Sequence, residues 1–218
     1  AGDEAAYRRF LKAYEEKVVP LSRDTNLASF QASISGRDED YKRSSDLQIR
    51  LNKASSDPGE FAALKRFRAS GKVRDLLLKR QLDVIYNAYL RNQIPAAQME
   101  EMVKLQAQIE QKFNTFRIRM DDKVLSDNDA EGILRTSTDS GQLEKVWRSS
   151  KEIGRVVAPD ILKLVHLRNA AARQLGFANF QQMQLKLGEQ DPGQIEALFD
   201  ELDELTRGGF VALKDDID

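Results

Sequence analysis

Residues 81–102 read QLDVIYNAYLRNQIPAAQMEEM, and this stretch predicts two helices joined by a tight turn. Apolar residues in and just before its first arm recur at steps of about four and three, the spacing of a buried helical face. They are Leu78, Leu82, Ile85 and Tyr89. Pro95 fits the first turn of a return helix. The predicted inward face of that helix carries Met99, Met102, Gln106, Ile109, Phe113 and Phe116. The short connection predicts that the two helices pack antiparallel.

The rest of the chain is also predicted to be helical. Good helix formers dominate its periodic stretches, and its five prolines fall at plausible helix boundaries. Residues 115–125 differ, because Phe116, Ile118 and Met120 alternate there with arginines, and a period of two is typical of strands. The predicted fold class is therefore all-α, an elongated assembly of many helices with one short β-hairpin near residues 115–125.

Composition argues against several functional classes. The 34 basic and 35 acidic residues leave a net charge of -1, so the chain lacks the broad positive field of a nucleic-acid-binding protein and no nucleic-acid partner is expected. No stretch approaches the roughly 20 apolar residues of a membrane span, and the most notable apolar run is Leu76-Leu77-Leu78. The lack of cysteine excludes disulfides, thiolate metal sites and cysteine nucleophiles.

His166 is the single histidine of the chain. A zinc hydrolase usually takes two histidines and a carboxylate, often as HExxH, so this segment cannot build such a site. We interpret His166 as a surface or structural imidazole, with a catalytic or ligand role as the alternative. Catalysis by carboxylates alone stays open, although no distinctive carboxylate pair is present. No residue of the chain is assigned a catalytic, cofactor-binding or metal-binding role.

A basic stretch surrounds Gly71. Its members are Lys65, Arg66, Arg68, Lys72, Arg74, Lys79 and Arg80. We interpret it as a solvated helix face with opposite charges nearby, and the alternative is a patch that attracts acidic peptide termini or an acidic partner surface.

Other residues could be read either as structural or as functional. We interpret five large side chains at helical spacing as core rather than as an adaptable binding groove. They are Met99, Met102, Phe113, Phe116 and Trp147. Gly208-Gly209 is interpreted as a local helix interruption, with a hinge for opening a lid or cleft as the alternative.

Four segments carry a family resemblance. They are FLKAYEEKVVP at residues 10–20, the stretch at 81–102, LEKVWRSSKEIG at 143–154 and LVHLRNAAARQLGFANFQQMQ at 164–184. Together they resemble the angiotensin-converting-enzyme-like family of zinc peptidyl-dipeptidases, particularly its bacterial members. The last segment, followed by a helix that starts at Asp191-Pro192, is the most specific, although its LRN-xxAxxLGF-xNF pattern is also similar to motifs in related helical zinc peptidases.

The resemblance implies a helical fold split by a deep cleft, in which HExxH and a downstream glutamate hold zinc. Those elements lie beyond the region resembled, so the chain is expected to be the N-terminal part of one larger catalytic domain, with the zinc ligands outside this segment. Residues 1–91 would form a lid-like helical region over the cleft, and residues 92–218 a helical wall with the hairpin. The expected partners are short peptides in the parent cleft and the missing C-terminal catalytic half, and export or attachment to a bacterial cell envelope is the expected location.

The sequence also departs from animal relatives of that family. In the animal relatives a disulfide holds the hairpin region. Residues 115–125 have no cysteine, so packing must hold the hairpin of this chain. Gln184-Leu185 stands where those relatives have a tryptophan-arginine pair that binds chloride, so chloride activation through that position is not expected. The alternative to a peptidase part is a stand-alone helical interaction module without enzymatic activity, and a family member that has lost its site is a third possibility.

Overall fold

The computed structural model describes residues 2–218, and most of these are helical. The helices are α1 (Gly2–Ser35), α2 (Asp38–Ala54), α3 (Pro58–Ser70), α4 (Leu76–Arg91), α5 (Ala96–Thr115), α6 (Asp127–Thr136), α7 (Ser140–Lys151), α8 (Ile153–Gln174), α9 (Phe180–Leu187) and α10 (Pro192–Ile217). Strands β1 (Ile118–Met120) and β2 (Lys123–Leu125) form an antiparallel hairpin between α5 and α6. The all-α fold class and the hairpin near residues 115–125 are both confirmed.

The hairpin is held by packing, as its lack of cysteine requires. Ile118 pairs with Leu125 across the two strands. The Ile118 side chain is almost fully buried against Ala130 of α6 and Val146 of α7. A two-stranded hairpin of this length is marginal in water by itself. The small apolar cluster under it therefore explains why these six residues form strands.

The largest apolar cluster joins α1, α3 and α4. Its buried members are Tyr7, Leu11, Phe61, Leu64, Phe67, Val73, Leu78, Leu82, Ile85 and Tyr89. All four residues of the predicted α4 seam are buried there, which confirms their spacing as that of a core-facing stripe. Phe10 and Tyr14 of α1 pack against the same cluster and stack on one another. This cluster fixes the first half of α1 onto α3 and α4.

The antiparallel pairing predicted for residues 81–102 is wrong in its partners. The cluster that buries the inward face of α4 contains no residue of α5. Helix α5 packs instead on α2, where Lys53 Nζ lies 2.6 Å from Glu100 Oε1 and Asn114 Nδ2 donates to the Tyr41 hydroxyl at 2.8 Å. The aromatic and leucine side chains of α3, the preceding helix, and of α1, far away in sequence, supply the apolar surface that α4 requires.

Two ion pairs show how helix α8 is oriented on α5. Lys112 Nζ lies 2.6 Å from Asp160 Oδ2, and Lys163 Nζ lies 2.7 Å from Glu101 Oε1. Positions that rise along α5 meet positions that fall along α8, so the two helices are antiparallel. Partly exposed ion pairs of this kind set orientation more than they add stability.

The prolines only partly mark helix boundaries. Pro58 and Pro192 occupy first turns and Pro95 precedes α5, in agreement with the prediction. Pro20 and Pro159 instead lie inside α1 and α8. An interior proline removes one helical hydrogen bond and clashes with the preceding turn. Packing of α1 on α2 therefore outweighs the local preference for a break at Pro20.

Gly208 and Gly209 do not interrupt a helix. Helix α10 runs from Pro192 to Ile217 through both glycines, so the predicted interruption is wrong. Each glycine costs about 1 kcal/mol relative to alanine inside a helix. Leucine, alanine, glutamate and lysine on either side are good helix formers and outweigh that cost.

Aspartate and asparagine side chains start two of the helices, and the start at Asp191 agrees with the prediction. The Asp191 carboxylate accepts from the Gln194 amide at 2.9 Å, and Asn179 Oδ1 accepts from the Gln182 amide at 2.8 Å. The chain divides into two compact units, residues 1–168 and 169–218, with the boundary inside α8. The second unit comprises the end of α8 together with α9 and α10.

Candidate functional site

Three polar side chains meet beside the apolar cluster of α1, α3 and α4. Lys17 Nζ lies 3.0 Å from Glu60 Oε2 and 3.3 Å from Glu60 Oε1, and the Tyr89 hydroxyl donates to the same carboxylate. Tyr89 is fully buried, while the Glu60 side chain is 38% exposed. We call Lys17, Glu60 and Tyr89 the polar trio. It links one residue from each of the three helices.

Burial raises the pKa of the Tyr89 hydroxyl well above its ordinary range, and the hydrogen bond to Glu60 raises it further. Tyr89 therefore stays a neutral donor at any pH where the protein functions, and it cannot serve as a general base. Burial also raises the pKa of Tyr7. The Tyr7 hydroxyl is buried without a hydrogen-bond partner, and its ring packs edge-on against Phe67 at 5.7 Å between centroids. These groups are suited to holding helices together rather than to chemistry.

The basic stretch around Gly71 divides into two parts. On α3 the cations stack on aromatic rings, with Lys65 Nζ lying 4.4 Å from the centroid of Phe61. Arg68 lies 4.5 Å from the Tyr86 ring, and its Nε is 2.9 Å from Asp83 Oδ1. Stacked and paired cations of this kind fit the interpretation as a solvated helix face. The members beyond Gly71 lie in the connection to α4 and in the first turns of α4, and Lys72, Arg74, Lys79 and Arg80 are exposed like those of α3.

A carboxylate from the start of α1 holds the loop between α3 and α4. Glu4 Oε2 accepts from the backbone amides of Arg74 at 3.1 Å and Asp75 at 3.4 Å, and Arg8 Nη2 donates to Glu4 Oε1 at 3.1 Å. These donors, the Arg74 amide first, hold the pKa of Glu4 below its ordinary value. The negative form of Glu4 is therefore stabilised by folding.

We expect Glu4→Gln to remove an acid-sensitive part of the stability. A carboxyl whose pKa is lowered on folding stabilises the protein above its unfolded-state pKa, and this contribution is lost as the pH falls through the lowered value. The urea midpoint of the wild type should exceed that of the variant at about pH 7, and the difference should shrink as the pH falls below the ordinary pKa of glutamate. Glu16→Gln, at an exposed position on the same helix, is the control. A difference that persists unchanged in acid would contradict the assignment.

The prediction that Phe113 and Trp147 belong to the core is wrong. Phe113 is 54% exposed, because Gln111 and Asn114 are the residues of that last turn of α5 that face α2. Trp147 is 53% exposed, because its neighbour Val146 takes the inward position in the cluster under the hairpin. Met99 is buried as predicted.

The motif of residues 164–184 builds a tight turn between α8 and α9. Asn169 Oδ1 accepts from the Phe180 amide at 2.9 Å, across eleven positions of sequence. Gly176 has a φ of 86°, a left-handed conformation that other residues adopt only with strain. The Phe177 amide donates to the Ala172 carbonyl at 3.0 Å, and Asn179 caps α9. The two asparagines and the glycine of LRN, LGF and NF therefore each have a definable task in this turn.

A family model described as angiotensin-converting enzyme, a peptidase family, matches residues 1–207. The chain belongs to the angiotensin-converting enzyme family. A comparison with curated protein sequences gives no match. The family match extends over all the helices from α1 to α9 and the first part of α10, which agrees with the family named from the four segments.

Zinc is the metal that the angiotensin-converting enzyme family implies, and the residues of this chain do not fit it. A zinc site needs three or four converging histidine, cysteine or carboxylate ligands. Within residues 2–218 no three such side chains come together. The sequence has one histidine and no cysteine, and His166 is exposed on α8.

Two further expectations concern anions and membranes. Gln184, at the place of the relatives' chloride-binding pair, is an exposed neutral side chain on α9, and Leu185 beside it is half-buried. Neither side chain carries a positive charge for an anion. No helix between Gly2 and Asp218 combines the length and the apolar character needed to cross a membrane.

No sequence pattern predicts the polar trio. Glu60 is 43 positions from Lys17 and 29 from Tyr89, and no periodicity connects residues so far apart. The run Leu76-Leu77-Leu78 is visible in the sequence as an apolar run in a strongly charged neighbourhood. In the structure Leu76 and Leu77 are exposed, and Leu78 is buried.

Proposed function

We propose that residues 1–218 form the N-terminal part of a zinc-dependent peptidyl-dipeptidase of the bacterial type, which hydrolyses short peptides. The observation that carries the proposal is a family match over residues 1–207 in a segment whose own side chains do not fit zinc. The metal ligands and the base that activates water would then lie outside the segment. The C-terminal catalytic half would be its partner, and an exported or envelope-associated protein is the location that we propose.

In this proposal residues 1–91 act as a lid that admits short peptides and excludes folded proteins. A lid that screens substrates must keep its shape, and two features of these residues support such rigidity. The apolar cluster fixes α1 to α3 and α4, and the polar trio ties the same three helices together at a second point. Residues 92–218 would contribute wall, with the hairpin held by the cluster around Val146.

We expect the purified 218-residue chain to be inactive. Incubated with zinc and short blocked peptides, it should release no dipeptide above the rate measured without protein, because it cannot assemble the three ligands that zinc hydrolysis requires. Equilibrium dialysis followed by metal analysis should find no stoichiometric zinc. Zinc-dependent cleavage by this chain would contradict the proposal.

The informative control extends the same chain through the rest of its reading frame. We expect the extended protein to bind zinc and to cleave the same peptides, with chelation abolishing the activity. A reading frame that ends near Asp218 would instead favour the second candidate, a helical interaction module without enzymatic activity.

Helix α10 carries an observation that fits both candidates. Helix α10 has no buried residue, and its apolar side chains are exposed. They are Leu198, Phe199, Leu202, Leu205, Phe210, Val211, Leu213 and Ile217. An apolar face of this length is typical of a helix that packs on another protein surface, and a missing catalytic half would satisfy it equally well.

A further inference from the structure

The first turn of α4, directly after the connection from α3, presents two adjacent leucines to solvent. Leu76 is 84% exposed, the highest value among the exposed large apolar side chains described in residues 2–218, and Leu77 is 68% exposed. Single exposed leucines are ordinary on protein surfaces, but a projecting pair costs solvation free energy and has no role in this fold.

The two leucines are held in place rather than left on a loose loop. Val73 before them and Leu78 after them are both buried in the cluster of α1, α3 and α4. The Asp75 carboxylate caps α4 by accepting from the Leu78 amide at 3.0 Å. Glu4 holds the amides of Arg74 and Asp75 from the other side. The fold therefore fixes the connection between α3 and α4, and Leu76 and Leu77 project outward from the first turn of α4.

Positive charge surrounds the pair. Residues 65–80 include seven basic residues and one acidic residue, in a chain whose net charge is -1. Lys72, Arg74, Lys79 and Arg80 lie within four positions of a leucine and are exposed. The acidic residue is Asp75, which is occupied as the cap of α4 and lies 3.6 Å from Arg8. We call residues 72–80 the basic leucine patch.

We propose that the basic leucine patch binds anionic lipid surfaces. Leu76 and Leu77 enter the boundary between headgroups and acyl chains, and the surrounding lysines and arginines lie against lipid phosphates. Basic side chains flanking exposed apolar ones are the pattern of interfacial membrane binding. A projecting leucine pair also fits a bilayer better than an acidic protein, since a fluid interface accepts a protrusion without a matching groove. The proposal does not depend on the proposed peptidase function, because its readout is lipid binding.

Sedimentation with vesicles tests the patch directly. The 218-residue chain should bind vesicles that contain phosphatidylglycerol and should not bind vesicles of phosphatidylcholine alone. Raising the ionic strength from about 50 mM to about 500 mM should weaken the binding, because salt screens exposed charges. The double variant Leu76→Ser with Leu77→Ser should reduce the partition coefficient about tenfold or more, since both apolar side chains are lost from the interface. The double variant Lys72→Glu with Lys79→Glu should abolish the preference for the anionic vesicles.

The matched control replaces two exposed leucines in an acidic setting. Leu205→Ser with Leu213→Ser changes α10, whose sequence is rich in carboxylates, and should leave binding to anionic vesicles unchanged. Circular dichroism confirms that each variant keeps its helices. Equal binding to both vesicle types, or a loss of binding only in the α10 variant, would overturn the proposal. Binding to polyglutamate without binding to vesicles would overturn it too and would assign the patch to an acidic polypeptide.

Discussion

Replacing Tyr89 with phenylalanine is expected to lower the free energy of unfolding by about 2 kcal/mol, because a buried hydroxyl that donates to a carboxylate is lost. Tyr89 is fully buried, and its hydroxyl is bonded to Glu60, whose remaining partner in the polar trio is Lys17. Glu60 is partly exposed, so water can replace the lost donor and the cost should stay below that of a fully buried charge. Urea unfolding followed by far-UV circular dichroism measures the change.

Tyr7→Phe is the matched control, because it deletes the same atom from an equally buried ring. The Tyr7 hydroxyl has no hydrogen-bond partner, so folding removes it from water without compensation. Its loss should leave stability unchanged or increase it by up to about 1 kcal/mol. Equal destabilisation by the two variants would contradict the polar trio, since the loss would then follow from repacking of the rings.

The same two tyrosines predict how stability responds to alkali. Burial raises the pKa of both hydroxyls above the unfolded value, so folding favours their neutral form. Their stabilising contribution is therefore complete below the ordinary tyrosine pKa and is lost as the pH rises beyond it. The direction is opposite to that of Glu4, whose contribution is lost in acid.

The sequence predicted those parts of the fold that depend on local spacing. The four-and-three steps of Leu78, Leu82, Ile85 and Tyr89 define one face of a helix, and all four residues are buried. The same spacing carries no information about which helix covers the face. Helix α4 therefore packs on α1 and α3 rather than on α5, because partner choice depends on the apolar surface that each of the other helices supplies.

Errors in the predicted core have a related cause. Val146 and Trp147 are adjacent, and periodicity allows either of them to face inward within the tolerance of a short helix. The space under the hairpin, beside Ile118 and Ala130, fits the valine, so the larger ring stays at the surface. The size of a cavity is a property of the assembled elements, and no single segment of sequence specifies it.

The candidate site also has one part that local sequence predicts and one part that depends on how the helices pack. The family could be named from contiguous motifs, because the turn built by Asn169, Gly176 and Asn179 depends on fixed local offsets. The polar trio could not be named, because lysine, glutamate and tyrosine at three distant positions are common surface residues. Their pairing exists only after the helices have packed.

The largest loss of stability is expected from Leu64→Ala. Leu64 is a fully buried member of the cluster formed by α1, α3 and α4. Truncation to alanine removes three buried carbon atoms and leaves a cavity among rings that are fixed by their own contacts, including Phe61 and Phe67. Substitutions of this kind cost 2–5 kcal/mol, and we expect about 3–4 kcal/mol here because aromatic neighbours collapse poorly into a cavity.

Leu162→Ala provides the comparison that separates packing from helix propensity. Leu162 is an exposed leucine on α8, so the same truncation there should change the free energy of unfolding by no more than about 0.5 kcal/mol. Both variants are measured by urea unfolding against the wild type, with the slope of the transition compared as well as its midpoint. A cost below about 1 kcal/mol at Leu64 would mean that the cluster is loosely packed. Helix α1 would then not be rigidly attached to α3 and α4. The proposed role of these helices as a lid requires that rigid attachment.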